Sequence, residues 1–530
     1  MAYYTGYIYP ACGNNLIMKS PSSFLWQLIQ SLSRNEKLYF KRNFIPADGD
    51  ALYLRLFDAV AAQKKYDEAL LLLKFKPLLN KKNIASQKNY LQKQICNALV
   101  QYERVLDPTK DIYSSIQLIR IYRKKGLYDE AFGIWKKAVE LARSQSAFAM
   151  LNLLKTEFEK MVIVSPSHSG QDELLRIFKQ QVITYTEYAE LITLRDIYTE
   201  VLLLKKRTHF DQDHLLLGNI QLLLGRVNQM DKATSAHSFW YRHYYLMSKA
   251  TLLYLLNDME VSMQLLKEHF SNWQKHADYL SSHGEFYIEL LYMINYAGIL
   301  HGDYGYVTAV FNDPLNEQLT DPSLRTYFEV TRSLAMNKVF NKTARYEEVN
   351  RLLISMKKNY DGWAPFLNEE LNSTLCFSMG VGYFVTEQYE DALYFTRRAI
   401  SAYPKGTRDE HHVVGQLLLL LITYCMNHPR LFDAQYRNSY LFFYKRRKKK
   451  VFESAILQCL HRSFYMTESK KKSEEYQKAL ELIFANKTDS VQLRAFAIFN
   501  FEGWLNSRIQ RISYRQYVEK KVKAELTEVA

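Results

Sequence analysis

The sequence predicts an all-α protein of stacked antiparallel helix hairpins, and three observations carry that expectation. Apolar residues recur at helical spacing along nearly all of the 530 residues, 48% of which are hydrophobic. No alternating apolar and polar run is bounded by Asn-Gly or Asp-Gly turns, so strands are not expected. A Tyr followed by two acidic residues and a small apolar one occurs four times, each time between two helical stretches. With only 18 Gly and 11 Pro, the chain can bury a large core, which excludes disordered, collagen-like and small disulfide-scaffold classes.

Residues 1–17 are Tyr- and Gly-rich without amphipathic period, and are expected to be an unstructured extension or the product of an upstream start codon. A helical pair follows over 18–48. Phe24, Leu28 and Leu32 recur every four residues, and Ser33-Arg34-Asn35-Glu36 forms a capping box that starts a second helix at Arg34, running to about Phe44. Residues 49–430 read as degenerate helical repeats, and 431–530 as a basic helical region continuing the array.

The four recurring motifs are Tyr66-Asp67-Glu68-Ala69, Tyr128-Asp129-Glu130-Ala131, Tyr346-Glu347-Glu348-Val349 and Tyr389-Glu390-Asp391-Ala392. Acidic residues suit a helix N-terminus, where they complement the macrodipole, and a small residue lets two helices approach. Gly380, Tyr383, Tyr389, Ala392, Ala399 and Pro404 form a small-aromatic-aromatic-small-small-Pro ladder, and Tyr122, Tyr128, Ala131 and Ala138 form a second, with Ile119 in place of its first small residue. These ladders resemble the 34-residue tetratricopeptide repeat. The motifs lie 62, 218 and 43 residues apart, so helix lengths are expected to vary. Segments Tyr245 to Phe270 and Leu291 to Val310 fit helical hairpins without the ladder. Breaks at Ser165 to Gly170, Asp313-Pro314, Asp321-Pro322 and Pro404 to Gly406 read as inter-helix loops.

The resemblance implies a ligand groove lined by the first helix of each repeat. In one repeat this places Arg120, Arg123 and Lys124 on a single helix face, able to engage a carboxylate or phosphate, or else simply solvated. In the other it places Thr374, Phe377, Val381, Phe384 and Val385, which is apolar for a groove. Such a groove either grips an apolar peptide or is covered by another part of the chain, the second being favoured.

Net charge is +15, from 70 Lys and Arg against 55 Asp and Glu. Residues 431–530 hold 20 basic and 11 acidic residues, so +9 of the total falls in the last hundred. There Tyr440-Leu441-Phe442-Phe443-Tyr444 precedes Lys445, Arg446, Arg447, Lys448, Lys449 and Lys450. Aromatics beside cations can stack on bases, but the simpler expectation is a buried helix end followed by an exposed basic continuation.

Nucleotide-binding glycine loops, a GxSxG elbow and HExxH are missing, and the five scattered Cys exclude CxxC motifs. His411-His412 and the His209 and His214 pair come nearest to a cluster and are read as exposed or locally bonded side chains. No catalytic, cofactor or metal residue is assigned. The chain is expected to be a cytoplasmic, non-enzymatic scaffold binding a protein or peptide, with no membrane span. The alternative is a nucleic-acid-binding or regulatory protein using the basic end.

Overall fold

The computed structural model describes residues 23–43, 52–63, 66–80, 82–106, 110–145, 147–164, 171–207, 214–232, 238–402, 409–445, 450–487, 492, 495–496 and 498–529. Among them the chain is all-α, with 24 α-helices and no strand. It divides into two compact units, Met1–Lys110 and Asp111–Ala530, at a place where the sequence shows no compositional break.

The first unit contains α1 (Phe24–Ser31), α2 (Arg34–Asn43), α3 (Leu52–Ala61), α4 (Glu68–Lys74) and α5 (Ile84–Leu106). The capping box forms as the sequence predicts. Glu36 N–H donates to Ser33 Oγ at 3.2 Å, and Glu36 accepts from Ser33 N–H. Asp67 caps α4 by accepting from Leu70 N–H. Ile29, Phe40, Phe57, Leu71 and Ile95 bury the apolar faces of all five helices in one core.

The second unit runs through α6 (Lys110–Lys124), α7 (Tyr128–Ser144), α8 (Phe148–Val164), α9 (Gln171–Arg207), α10 (His214–Gln229), α11 (Phe239–Leu255) and α12 (Met259–Lys275). It continues with α13 (Leu280–His301), α14 (Tyr304–Phe311), α15 (Pro322–Lys342), α16 (Tyr346–Trp363), α17 (Glu369–Val385) and α18 (Tyr389–Ala402). It ends with α19 (Asp409–Cys425), α20 (Pro429–Lys445), α21 (Val451–Phe464), α22 (Ser469–Ala485), α23 (Phe501–Ile509) and α24 (Tyr514–Val529). From α11 to α22 consecutive helices pack as pairs. The first helices also touch one another: α9 meets α11, α11 meets α13, α13 meets α15, α15 meets α17, α17 meets α19 and α19 meets α21.

One turn recurs between paired helices. Gly126, Asn257, Gly302, Ala344, Glu387, Asn427 and Arg511 all have left-handed φ, from 51° to 85°. At six of them the following N–H reaches a carbonyl five residues back, as from Leu127 to Tyr122, Asp258 to Leu253 and Gln388 to Tyr383. That is the Schellman closure, which satisfies helix-end carbonyls and repays the roughly 1 kcal/mol that a non-glycine residue loses in this region. Except after Arg511, the next helix begins two residues later. Tyr128, Tyr346 and Tyr389, three of the four recurring tyrosines, stand at that position.

The turns at Asn257, Gly302, Ala344, Glu387 and Asn427 follow one another at intervals of 45, 42, 43 and 40 residues. The repeating unit is therefore longer than the 34 residues that the ladder resembles, because helices such as α13 (22 residues) and α15 (21 residues) are long. The ladder itself has a packing cause. A Cβ on Gly380 would lie 2.3 Å from Thr396 Oγ1, and Ala392 and Ala399 are buried on the facing helix, so small residues set the close approach of α17 and α18.

Candidate functional site

The first expected surface turns out to have its own anion. Arg120 and Arg123, on α6, face Glu157 of α8: Arg120 Nε lies 2.9 Å and the Arg123 guanidinium 3.7 Å from its carboxylate. Lys160 adds a third contact at 3.2 Å. Glu157 is 1% exposed. Burial pushes its pKa up, but hydrogen bonds from Arg120 and Lys160 outweigh burial and hold the carboxyl below its ordinary value. The carboxylate expected from a ligand is thus supplied by this chain. Lys124 stands apart and exposed in the last turn of α6.

The second surface is covered from within. Phe377 and Phe384 are buried on α17 and Val381 is half-buried. The Phe384 ring meets Phe499 at 5.3 Å and Tyr514, at the start of α24, at 6.4 Å. Phe377 lies against α19, where a Cβ on Gly415 would come within 3.5 Å of its ring. Thr374 and Val385 are buried too.

At the basic end, Lys445 closes α20 exposed, and Lys450 N–H donates to Glu453 at 3.1 Å as α21 begins. Arg446, Arg447, Lys448 and Lys449 lie outside the described residues. The expected buried helix end needs correction. Phe443 is buried, but Tyr440 is 46% and Tyr444 74% exposed. The reason is helical register: Phe432, Gln435, Ser439 and Phe443 take the inward face, which leaves Tyr436, Tyr440 and Tyr444 as an i, i+4 ladder that runs from half-buried Tyr436 to exposed Tyr440 and Tyr444. Successive rings of that ladder are 6.2 Å apart, and Tyr436 stacks on His461 at 4.0 Å.

Two polar clusters escaped sequence reasoning. His243 of α11 and His269 of α12 are fully buried, with Nδ1 of the first 2.9 Å from Nε2 of the second. Trp273 Nε1–H also donates to His269 Nε2, at 3.3 Å, so that nitrogen accepts and the His243 proton sits on Nδ1. Burial drives both pKa values down, that of His269 to about 3, and the pair stays neutral. Its aromatic surroundings include Phe239, Trp240 and Phe286. Among the described residues no group of three or more His, Cys, Asp and Glu is placed to hold a metal.

The other cluster lies between α13 and α15. Tyr292 and Tyr296 on α13 bring their hydroxyls within 3.0 Å, and Lys338 of α15 sets its ammonium 4.3 Å from the Tyr296 ring centre. Lys342 follows one turn later on the same face. Both lysines keep some solvent contact, yet protein surrounds them closely enough that burial lowers both pKa values, that of Lys338 to about 8. Lys342 repels Lys338, and Lys521 of α24 repels Lys342. Neither Lys338 nor Lys342 has a carboxylate within ion-pair distance among the described residues. Glu289 of α13 is bound to Lys205 at 2.7 Å instead. No pattern of residue types marks this cluster in the sequence, because its tyrosine pair and its lysine pair lie about forty residues apart and are individually ordinary.

Among the described residues no helix is long and apolar enough to cross a membrane. Comparison of the chain with protein-family models and with curated proteins finds no match.

Proposed function

We propose that the protein is a non-enzymatic scaffold or adaptor, a superhelix of tetratricopeptide-like helix pairs that binds another protein or peptide. The observation that supports this reading most is the turn repeated at 40 to 45 residues, since like units stacked in series build an extended surface rather than one closed pocket. The inner positions of α17 are occupied by the chain's own carboxyl-terminal segment. The partner therefore belongs on the first helices before it, α9 to α15. Affinity isolation of the tagged full chain from native extract, followed by nuclease treatment and crosslinking, tests this. A stoichiometric protein partner should survive nuclease and crosslink to Lys249, Lys338 or Lys342. Loss of all partners on nuclease treatment, or crosslinks confined to α20, would contradict it.

A second reading, nucleic-acid binding at the basic end, is favoured by one observation, the exposed Tyr440 and Tyr444 rings leading into Lys445. Stacked aromatics beside cations suit single strands. It predicts fluorescence-anisotropy binding that weakens steeply between low and moderate salt, as counterion release requires, and that Tyr440→Ala with Tyr444→Ala abolishes. Binding absent at low salt would remove this reading.

A further inference from the structure

We propose that the cleft between α18, α19 and α20 binds a small N-acylated amino acid by its carboxylate and its amide, with Arg397, Gln416 and Gln435 as the groups that hold it. This goes beyond the scaffold reading and does not rest on it, because the cleft is made by helices other than those assigned to the protein partner.

The cleft has a volume of about 350 Å³, at the small end of ligand pockets. Its walls include Arg397 and Ile400 of α18, Gln416 and Leu419 of α19, and Gln435 of α20. An i, i+3 spacing puts the first two pairs each on one helix face. Two of the wall side chains are amides that bond to each other. Gln435 Nε2–H donates to Gln416 Oε1 at 3.3 Å and to Ser439 Oγ at 3.1 Å, and Ser439 Oγ–H donates to Gln416 Oε1 at 3.2 Å. These bonds tie α19 to α20 and use one half of each amide. The other halves, Gln416 Nε2–H and Gln435 Oε1, make no hydrogen bond among the described residues. Gln435 is only 5% exposed, and a polar atom held that far from bulk water without a partner is costly. On α18, Arg397 is exposed and makes no ion pair among the described residues. The cleft thus presents an N–H, a C=O and a guanidinium, none of them used by the fold.

These three groups select the ligand. A free N–H beside a free C=O is the complement of one further amide, which accepts from the first and donates to the second. The guanidinium fork matches a carboxylate. One lining cation balances one carboxylate, whereas a phosphate monoester would bring a second charge with no partner. Among the described residues none that lines the cleft is acidic, so the ammonium of a free amino acid would find no counterion there. Acylation of that nitrogen removes the charge and creates the amide that the two glutamines match. Ile400 and Leu419, the second buried, supply an apolar floor for an aliphatic side chain.

The test is isothermal titration calorimetry of the purified full chain with N-acetyl-L-leucine, at about 50 mM salt so that the exposed guanidinium is little screened. Three analogues each lack one recognised feature. L-Leucine carries an ammonium, N-acetyl-L-leucinamide has no carboxylate and 4-methylpentanoate has no amide. N-Acetyl-L-leucine should bind with a Kd below about 1 mM, and each analogue at least about tenfold more weakly. Arg397→Gln removes an exposed side chain that the fold does not use, so its melting temperature should equal that of the wild type. That variant should lose at least about tenfold in affinity for N-acetyl-L-leucine and nothing for the leucinamide, which has no charge to pair. Absence of binding at about 5 mM ligand, equal affinity for the leucinamide, or undiminished affinity in Arg397→Gln would overturn the proposal. A peptide ending in leucine that binds at least about tenfold tighter than N-acetyl-L-leucine would assign the cleft to the chain end of another protein, and would overturn the small-molecule assignment. The wild-type ligand series decides the matter without any variant.

Discussion

The clusters at Glu157 and at Lys338 pose the same electrostatic problem and answer it differently. In each, cations one helical turn apart meet a further cation. On α6 and α8 a carboxylate that is 1% exposed sits among them. Around Lys338 and Lys342 of α15 no carboxylate lies within ion-pair distance among the described residues, and these two lysines lose proton affinity instead. The difference teaches which basic face is structural. Arg120 and Arg123 fasten two helices together, while Lys338 meets the Tyr296 ring in place of a carboxylate and keeps a cost of desolvation.

The largest effect should come from removing the anion of the compensated cluster. Glu157→Ala leaves Arg120, Arg123 and Lys160 facing one another and should cost about 3 kcal/mol in urea unfolding at neutral pH, at the low end for a buried pair because Arg120 keeps solvent contact. Its pH dependence follows from sign. The folded pKa lies below the 4.5 of the unfolded group, so this stabilisation is fully present above that value and is lost as pH falls through the folded one. The gap between wild type and Glu157→Ala should therefore close in acid.

Lys338→Met should act in the opposite direction, raising stability by about 1 to 2 kcal/mol, since it removes a desolvated charge and keeps the side-chain volume. Here the folded pKa of about 8 lies below the ordinary 10.5, so between those values the unfolded chain holds the extra proton and wild-type stability rises with pH. The advantage of the Met variant should shrink over that window in melts taken from pH 7 to 10. A destabilised Lys338→Met protein would break the comparison.

Arg120→Met should cost about 1 kcal/mol, because Arg123 and Lys160 still neutralise Glu157. Lys124→Ala, exposed at the end of α6, should cost only about 0.3 kcal/mol, the worth of a cation at a helix C-terminus. A loss at Lys124 equal to that at Arg120 would mean that Glu157 does not distinguish them.

Much of the local structure was legible in the sequence. Ser33 and Glu36 placed the start of α2 because a capping box is a four-residue device, complete within itself. Tyr128, Tyr346 and Tyr389 marked helix starts because acidic residues favour that end. The turns at Asn257 and Gly302 were not marked, since a Schellman closure is made by backbone and the helices after them open with Met259 and Tyr304. Ala344, Glu387 and Arg511 adopt left-handed φ without the residue type that usually announces it. Both charge clusters were illegible for a different reason. Arg120, Arg123 and Lys124 look alike in sequence, and only the fold shows that Glu157, over thirty residues later, meets two of them. The inward face of α17 was read correctly as apolar, while its cover, Phe499 and Tyr514, lies more than a hundred residues away.

Crosslinking of the tagged full chain after nuclease treatment tests most directly the central claim, that like helix pairs in series present a protein-binding surface. The account predicts a nuclease-resistant protein partner crosslinked to the helices α9 to α15. Crosslinks confined to α20, or loss of every partner on nuclease treatment, would contradict it.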